Sequence, residues 1–415
     1  MHIVYLHQYF VTNNGTSGTR SYDMARFLVE RGHKVSLITG MHRHLEYSVE
    51  RGRPWKHVDL DGIDLYVLNA DYKQEWGAKG RVLSWLRYAG LASALAMKLD
   101  RPDVTFASCT PPTVGVPALA MQGLRKVPWV YELRDVWPEC LYSNGLSETS
   151  PAVPPMKLWN KVCVRGAEKL TVITPAFSDL LASDYGAREE DITFLPLGAD
   201  KDLYVPRPDD KTSGVTLREG SIGADDFVAV YCGVFGPANN IDYLVDAAAL
   251  LRDRPDIKLV LIGHGNQFDR IQARVRDEDL EGTVSVRPAI PKKDLVQLLP
   301  TADAGIVCLR DSEANRLAMP NKMYDYLFSG LALIKTAPPE GGGILGTIVE
   351  ENGCGAGVDA TDPAAAAALL RDWADDRAAL AERGRRGREL GEREFDRGRL
   401  AAELEALLQS VVASA

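Results

Sequence analysis

Short apolar runs alternate along the chain with longer segments in which apolar residues recur every three or four positions. The runs predict strands near residues 2–7, 34–39, 63–69, 103–108, 127–132, 170–174, 192–195, 227–232, 258–262, 283–287, 303–308, 331–335 and 355–358. Strands that alternate with helical segments are typical of βα units, in which helices connect parallel strands. The pattern therefore predicts an α/β protein built on parallel sheets.

A polar segment that contains Pro and Gly separates the strands of the first half from those of the second. The chain has 415 residues, and single hydrophobic cores stop growing at roughly 250–300 residues. We therefore expect two domains with a linker. The pattern divides the chain into an N-terminal domain (1–200), a linker (201–226), a C-terminal domain (227–395) and a last helix (396–415).

Composition narrows the class of protein. A net charge of −9 disfavours nucleic acid as a partner, because binding to a polyanion needs a basic surface that displaces counterions. No apolar run approaches the ~18–20 residues that span a bilayer, so we expect a cytoplasmic protein. The six cysteines are scattered, without a Cys-x-x-Cys pair or a neighbouring His cluster, which indicates reduced thiols rather than disulfides or a zinc site.

One apolar helix, over 79–98, carries basic and aromatic residues at its N-terminal end. Its later half is apolar nearly all round, which favours a helix that covers a sheet. The alternative is contact with the inner face of a membrane that carries a lipid-linked acceptor.

The segment from Ala318 to Gly330 reads Ala-Met-Pro-Asn-Lys-Met-Tyr-Asp-Tyr-Leu-Phe-Ser-Gly and precedes an apolar run. Proline is tolerated in the first turn of a helix and not in its interior, so Pro320 predicts the start of a helix. Lys322 and Asp325 then share one face beside the helix N-terminus, where anions are stabilised. A cation for a phosphate and a carboxylate for a pair of hydroxyls indicate a nucleotide-sugar site.

Two segments of the first half place polar side chains directly after apolar strands. The first is a glycine-containing loop and helix start with His7, Gly18 and Arg20, and the second is Val-Tyr-Glu-Leu-Arg-Asp-Val-Trp-Pro-Glu, which contains Glu132, Arg134 and Asp135. In open α/β sheets the carboxyl ends of strands face the ligand crevice. The alternatives are an ordinary turn for the glycine loop and a salt-bridged loop for the second segment.

These motifs, in this order, resemble family-4 retaining glycosyltransferases of the GT-B fold, and most closely the bacterial amino-sugar transferases of N-acetylfucosamine or N-acetylglucosamine type. The resemblance implies two Rossmann-like domains whose parallel sheets face each other across a cleft, with the last helix returning to the N-terminal domain. It also implies transfer of a sugar, with retention, from a UDP- or GDP-sugar to a small-molecule or lipid-linked acceptor. The nucleotide sugar is then a co-substrate, and neither a metal nor another cofactor is expected.

The resemblance carries over residue by residue. It implies acceptor contacts from His7, Gly18, Arg20, Glu132 and Arg134, with Asp135 orienting the acceptor group. It implies that the donor site comprises Gly18, Gly233, Phe235, Gly236, Asn239, Gly263, Arg287, Ile290, Leu317, Ala318, Met319, Asn321 and Asp325. In that family the carboxylate at the position of Asp325 holds the ribose hydroxyls.

The chain departs from the family pattern at Arg134, where many family members have His, and at three positions of the donor half. Where the family has an Arg and a Lys that touch the diphosphate, this chain has Val234 and Asn239, so we expect Arg316 and Lys322 to act as electrostatic catalysts instead. The family's first acidic residue would fall on Leu317, and Glu313 lies four residues earlier.

Three functions remain compatible with the sequence: a transferase, a nucleotide-sugar epimerase of the same fold, and a catalytically silent binding subunit. Two Asp-x-Asp pairs, Asp59 with Asp61 and Asp277 with Asp279, have the spacing of a metal site but lie in polar turns away from the motifs. We interpret them as solvated charge.

Overall fold

The computed structural model describes residues 1–415 apart from 16–17, 74–75, 143–144, 205–214 and 338–342. The chain divides into two compact units. The first comprises residues 1–196 with 397–415, and the second comprises residues 197–396. Both are sheets covered by helices.

The first unit contains an eight-stranded sheet. Its strands are β1 (His2–Leu6), β2 (Lys34–His42), β3 (Trp55–Leu60), β4 (Ile63–Tyr72), β5 (Val104–Cys109), β6 (Trp129–Leu133), β7 (Lys169–Val172) and β8 (Ile192–Phe194). Its helices before residue 196 are α1 (Arg20–Glu30), α2 (Ala78–Ala96), α3 (Gly115–Arg125), α4 (Glu139–Tyr142), α5 (Val153–Gly166) and α6 (Ala176–Leu180). The strand order is β3-β4-β2-β1-β5-β6-β7-β8.

The hydrophobic pattern missed the edge strand β3. It pairs antiparallel with β4, while the other pairs of this sheet are parallel. Its sequence is mostly polar because an edge strand keeps one side in solvent. The Asp61-Gly62 turn was the available signal, because both residues adopt positive φ, +53° and +81°, as a tight hairpin requires.

The second unit contains six parallel strands in the order β11-β10-β9-β12-β13-β14. These are β9 (Phe227–Val234), β10 (Ile257–His264), β11 (Val284–Pro288), β12 (Ala304–Val307), β13 (Ala332–Ala337) and β14 (Gly355–Asp359). The helices are α7 (Ile241–Ala249), α8 (Phe268–Asp277), α9 (Lys292–Leu298), α10 (Glu313–Arg316), α11 (Asn321–Phe328), α12 (Gly343–Glu351), α13 (Pro363–Asp375) and α14 (Arg377–Glu394). The central strands are near-continuous apolar runs because both of their faces are covered.

The last helix, α15 (Arg397–Ser414), packs in the first unit. Leu400, Leu404 and Leu408 are fully buried in one of that unit's apolar clusters. The buried guanidinium of Arg397 forms an ion pair with Asp23 of α1 and donates to the Thr19 hydroxyl. The helix is thereby tied to the start of the chain.

The predicted linker lies partly outside the described residues, at 205–214. Its described C-terminal part packs in the second unit. Arg218 is 6% exposed, and its guanidinium forms an ion pair with Asp303 at 2.7 Å and donates to the Thr301 carbonyl oxygen. This part of the segment is therefore a structured edge of the second unit.

Candidate functional site

The polar motifs of the first unit lie where its strand order reverses. β1 has β2 on one side and β5 on the other, so the loops after β1 and β5 leave the sheet at a topological switch point, where open α/β sheets bind ligands. His7, Arg20 and Ser21 follow β1, while Glu132, Arg134 and Asp135 lie at the end of β6, the strand beside β5. We call these six residues the first-unit cluster.

Glu132 is the centre of the first-unit cluster. It is fully buried, and its carboxylate accepts from Arg20 Nε at 2.9 Å, from Arg134 Nε at 3.0 Å and from the Ser108 hydroxyl. Burial alone would raise the pKa of Glu132, but the guanidiniums of Arg134 and Arg20 outweigh it and lower the pKa to about 2. Glu132 is therefore ionised and fixes both guanidiniums.

Two of the predicted acceptor contacts, Arg20 and Glu132, are buried and bonded within the protein. Arg20 is 1% exposed, and it also donates to the carbonyl oxygens of Leu195 and Pro196. The polar atoms of Arg20 and Glu132 are thus engaged within the protein, where Glu132 fixes the position of Arg134. Gly18 lies in the loop before α1 and is half-buried.

The Ser21 hydroxyl determines the tautomer of His7. Ser21 Oγ accepts from an Arg134 N–H at 2.7 Å and from the Tyr5 hydroxyl at 3.1 Å, so its own proton points to His7 Nδ1 at 2.8 Å. Burial and the neighbouring Arg134 hold the pKa of His7 well below its ordinary value. The imidazole is therefore neutral, carries its proton on Nε2 and can offer a hydrogen bond to a ligand.

Asp135 follows Arg134 in the loop after β6. One carboxylate oxygen accepts from the Thr110 hydroxyl, and in the described chain the other has no hydrogen-bond partner. Burial raises the pKa of Asp135, while the bond from Thr110 and the charge of Arg134 oppose that rise. A carboxylate in these surroundings is a stronger base than one in water.

The second unit has its own switch point, where β9 lies beside both β10 and β12. Helix α11 begins after Pro320, which is its N-cap, as the proline predicted. The ammonium of Lys322 donates to Asn239 Oδ1 at 3.1 Å and lies 4.0 Å from the centre of the Tyr231 ring. Burial lowers the pKa of Lys322 to about 8.

Gly233 makes this position of Lys322 possible. A Cβ on Gly233 would lie 2.8 Å from Lys322 Nζ, and the residue has a φ of +154°. A Cβ on Gly263 would lie 1.9 Å from the Gly233 carbonyl oxygen, so the two glycines let β9 and β10 approach closely. Gly236, at the next turn, has more room.

Asp325 lies one turn after Lys322 and is 8% exposed. Its Oδ1 accepts from the Tyr204 hydroxyl at 2.6 Å and from the ammonium of Lys292. Its Oδ2 has no hydrogen-bond partner in the described residues. Cys232, at the carboxyl end of β9, is close enough to Asp325, Lys322 and Lys292 for all three charges to act on its thiol. These three side chains therefore lie around the end of β9.

The sequence reasoning missed Lys292 and Tyr204. Lys292 is the first residue of α9 and follows Ile290, which the resemblance had already placed in the donor site, and this proximity was the available signal. Tyr204 lies in the predicted linker, and nothing in its local sequence pointed to α11.

Other predicted donor residues lie in less open positions. Phe235 is fully buried in the apolar core of this unit, and its backbone N–H and carbonyl oxygen bond to His264 and Gln267. Met319 is 2% exposed. Leu317, Ala318 and Ile290 are half-buried, and Asn321 is exposed at the helix start.

Two predicted cations are already paired. Arg316 forms a two-point ion pair with Asp311 at 2.9 and 3.1 Å. Arg287 donates to Glu219 Oε1 at 3.0 Å and to the Leu217 carbonyl oxygen. The side chain of Glu313 lies outside the described part of the structure.

Among the described residues no group of three or more His, Cys, Asp or Glu side chains could hold a metal ion. No helix in the described ranges is long and apolar enough to cross a membrane.

Two family models match the chain, one on each half. Residues 15–198 match the "Glycosyl transferase 4-like domain" and residues 217–390 match "Glycosyl transferases group 1". Together with the two Rossmann-like units, these matches place the chain among the GT-B-type glycosyltransferases. The predicted fold class is thereby confirmed.

Among curated proteins, the chain is similar to a D-inositol 3-phosphate glycosyltransferase of Paenarthrobacter aurescens (strain TC1). The two are 30% identical over 149 residues, which are 35% of this chain and 36% of the relative. The match thus spans about a third of that relative's length.

Solved structures share the fold at low identity. Sucrose-phosphate synthase from Thermosynechococcus elongatus matches over 100% of both chains, with a TM-score of 0.77 and 16% identity. Anabaena HepE in complex with UDP-glucose matches over 99% of this chain and 100% of its own, with a TM-score of 0.71 and 18% identity.

Proposed function

We propose that the chain transfers a sugar from a nucleoside diphosphate to an acceptor. The observation that carries this proposal is the convergence of Lys322 and Asp325 at the switch point of the second unit. An ammonium there stabilises the departing diphosphate, and a carboxylate binds ribose hydroxyls. The group 1 match of the same unit and the UDP-glucose bound to HepE support the assignment.

Asp325 would bind ribose through Oδ2, because Tyr204 and Lys292 occupy Oδ1. The backbone of the Gly233–Gly236 loop and the N-terminus of α11 would face the diphosphate. Val234 and Asn239 leave no side-chain cation on that loop, so Lys322 has the larger role.

The first-unit cluster would hold the acceptor. Asp135 accepts the proton of the acceptor's nucleophilic group, and neutral His7 donates a hydrogen bond from Nε2. Arg134, fixed by Glu132 and Ser21, supplies a positive charge beside them.

Retention and the amino-sugar subtype rest on the motif resemblance alone. The Arg134-Asp135 pair followed by Val-Trp-Pro-Glu supports that subtype, with a UDP- or GDP-linked donor. No side chain in this proposal acts as a covalent nucleophile, and no metal or other cofactor takes part.

Helix α2 supports one further part of the proposal, which is that the protein contacts a membrane that carries a lipid-linked acceptor. One face of α2 buries Tyr88, Ala92 and Leu95 against the sheet, as the sequence favoured. The opposite face leaves Leu83 and Leu86 68% and 58% exposed, beside basic residues. Apolar and basic side chains on one exposed face suit an anionic bilayer surface.

Incubation with labelled UDP- and GDP-sugars tests the proposal. We expect free nucleotide to grow with time and with acceptor, equally with and without a chelator. An isomerised donor would instead indicate an epimerase, and binding without turnover a silent subunit. Cosedimentation with anionic vesicles tests the membrane contact.

Replacement of Lys322 by Ala should lower turnover more than it weakens donor binding, because diphosphate charge develops fully only as the sugar leaves. The ammonium form is needed, so wild-type turnover should fall as the pH rises above the Lys322 pKa of about 8. Steady-state kinetics across pH, with nucleotide affinity by calorimetry, measure both effects.

The matched control is Lys293→Ala, which removes an exposed lysine of α9 and should leave the kinetics unchanged. An effect of Lys322→Ala confined to the donor Michaelis constant would argue against its catalytic role.

A further inference from the structure

Lys335 is a buried lysine that the motif reasoning left without a role. It lies in the last part of β13, beside Val307 of β12, and is 3% exposed. Its side chain lines a small pocket with Leu309, Arg310, Asp311, Ser312, Asn315 and Arg316. This loop connects β12 to the donor helix α11, so Lys335 lies beside the segment that leads into the proposed donor site.

The Lys335 ammonium makes no hydrogen bond and no ion pair in the described part of the chain. Asp311 is near enough to act on it electrostatically, but that carboxylate is held in the two-point pair with Arg316. An isolated buried charge is costly unless a partner or a ligand neutralises it. Burial accordingly lowers the pKa of Lys335 to about 8.

Lys335 and Lys322 both lie near Cys308. Both ammonium groups are within electrostatic range of Cys308, the residue after β12, and Lys335 helps to lower the pKa of Lys322. Two positive charges at one switch point, neither of which forms an ion pair with a carboxylate among the described residues, favour an anionic ligand. Because this chain has Val234 and Asn239 where the family has cations, the negative charge of a bound diphosphate has to be balanced by other residues.

We propose that Lys335 is a second donor-binding cation, which together with Lys322 binds an anionic oxygen group of the nucleotide sugar. It takes the place that the sequence assigned to Arg316, whose charge Asp311 already balances. The inference rests on the proposed function. The anionic group is either the diphosphate or a carboxylate on the donor sugar, and both have the same chemistry.

The test compares Lys335→Met with the wild type by calorimetry. The ligands are UDP, GDP, ADP, CDP and dTDP, followed by the hexose and hexuronate conjugates of the nucleotide that binds. If the diphosphate is the anion, the affinity of Lys335→Met for the nucleoside diphosphate falls about ten-fold or more, as expected for a lost charged hydrogen bond. If the sugar carboxylate is the anion, only the hexuronate loses affinity.

A second readout separates this role from a structural one. The pKa of Lys335 is about 8 in the folded protein, against an ordinary value of 10.5. Between these two pH values the unfolded chain binds more protons, so stability rises with pH there. Below that range the charged, buried lysine destabilises the fold. Ligand-free Lys335→Met should therefore unfold at a higher temperature than the wild type at pH 7. Wild-type affinity for the diphosphate should also fall above pH 8, and this dependence of affinity on pH should be weaker in Lys335→Met.

The matched control is Lys258→Met. Lys258 is also buried, 8% exposed, but its ammonium donates to the Gly282 carbonyl oxygen at 2.7 Å. This variant should lose stability and keep its nucleotide affinity.

A folded Lys335→Met protein that binds every ligand with wild-type affinity would overturn the inference and leave the proposed function standing. A ligand-free Lys335→Met that is less stable than the wild type would show a structural lysine and would also overturn it. If the wild type bound no nucleotide in the panel, the inference and the proposed function would both fail.

Discussion

Asp135→Asn should slow sugar transfer by about 10²–10⁴-fold, the usual contribution of a positioned general base, and leave nucleotide affinity nearly intact. Asn keeps the shape of the side chain and can still accept from Thr110, but it loses the negative charge. Burial raises the pKa of Asp135 above its ordinary 3.8. Wild-type transfer should therefore fall as the pH drops through that raised pKa, and rates from single-turnover assays across pH measure both effects.

The charge-matched control is Asp100→Asn, since the Asp100 side chain is 89% exposed and lies outside the first-unit cluster. Thr110→Val adds a second comparison, because it removes the hydroxyl that orients Asp135 and should cost less than the loss of the carboxylate. If Asp135→Asn transferred sugar at the parental rate, the acceptor assignment would fail while the donor assignment could stand.

Asp325→Ala should weaken donor binding about ten-fold or more and also destabilise the fold. The loss of affinity follows from the removal of a charged acceptor for ribose hydroxyls. The loss of stability follows because Lys292 and Tyr204 lose their shared partner. Breaking a buried ion pair costs about 3–5 kcal/mol. Denaturant unfolding measures the stability, and calorimetry at a temperature where the variant is folded measures the affinity.

Lys292→Met separates the two effects, because it removes the cation and keeps the carboxylate. It should be destabilised and still bind the donor. The double variant Asp325→Asn/Lys292→Met should recover part of the stability without recovering affinity. Wild-type donor affinity in a folded Asp325→Ala protein would mean that the donor site lies elsewhere.

The candidate site was predictable where its determinants are local. Pro320 restricts the backbone, so the start of α11 could be placed from the sequence. The three-residue spacing of Lys322 and Asp325 then puts both on one helix face. Glu132, Arg134 and Asp135 follow a strand, so their place at a carboxyl end also follows from sequence order.

The partners of those residues were not predictable. Asp325 meets Lys292 and Tyr204, which lie 33 and 121 residues away. Glu132 meets Arg20, 112 residues away. Whether a polar residue faces a ligand or pairs within the protein depends on such contacts, and this is why the sequence could not show that Arg20 and Glu132 are buried and bonded within the protein.

The sequence by itself determined the strands of both sheets except β3, the division into two α/β units and the helix that carries Lys322 and Asp325, because hydrophobic period and proline geometry act over a few residues. Tertiary structure alone decided which charges are already balanced. Strand order brings Asp311 to Arg316 and Lys292 to Asp325, and it leaves the Lys335 ammonium buried without a partner in the described chain. Charge balance depends on distance in space, and the fold sets that distance through crossovers that no local pattern records.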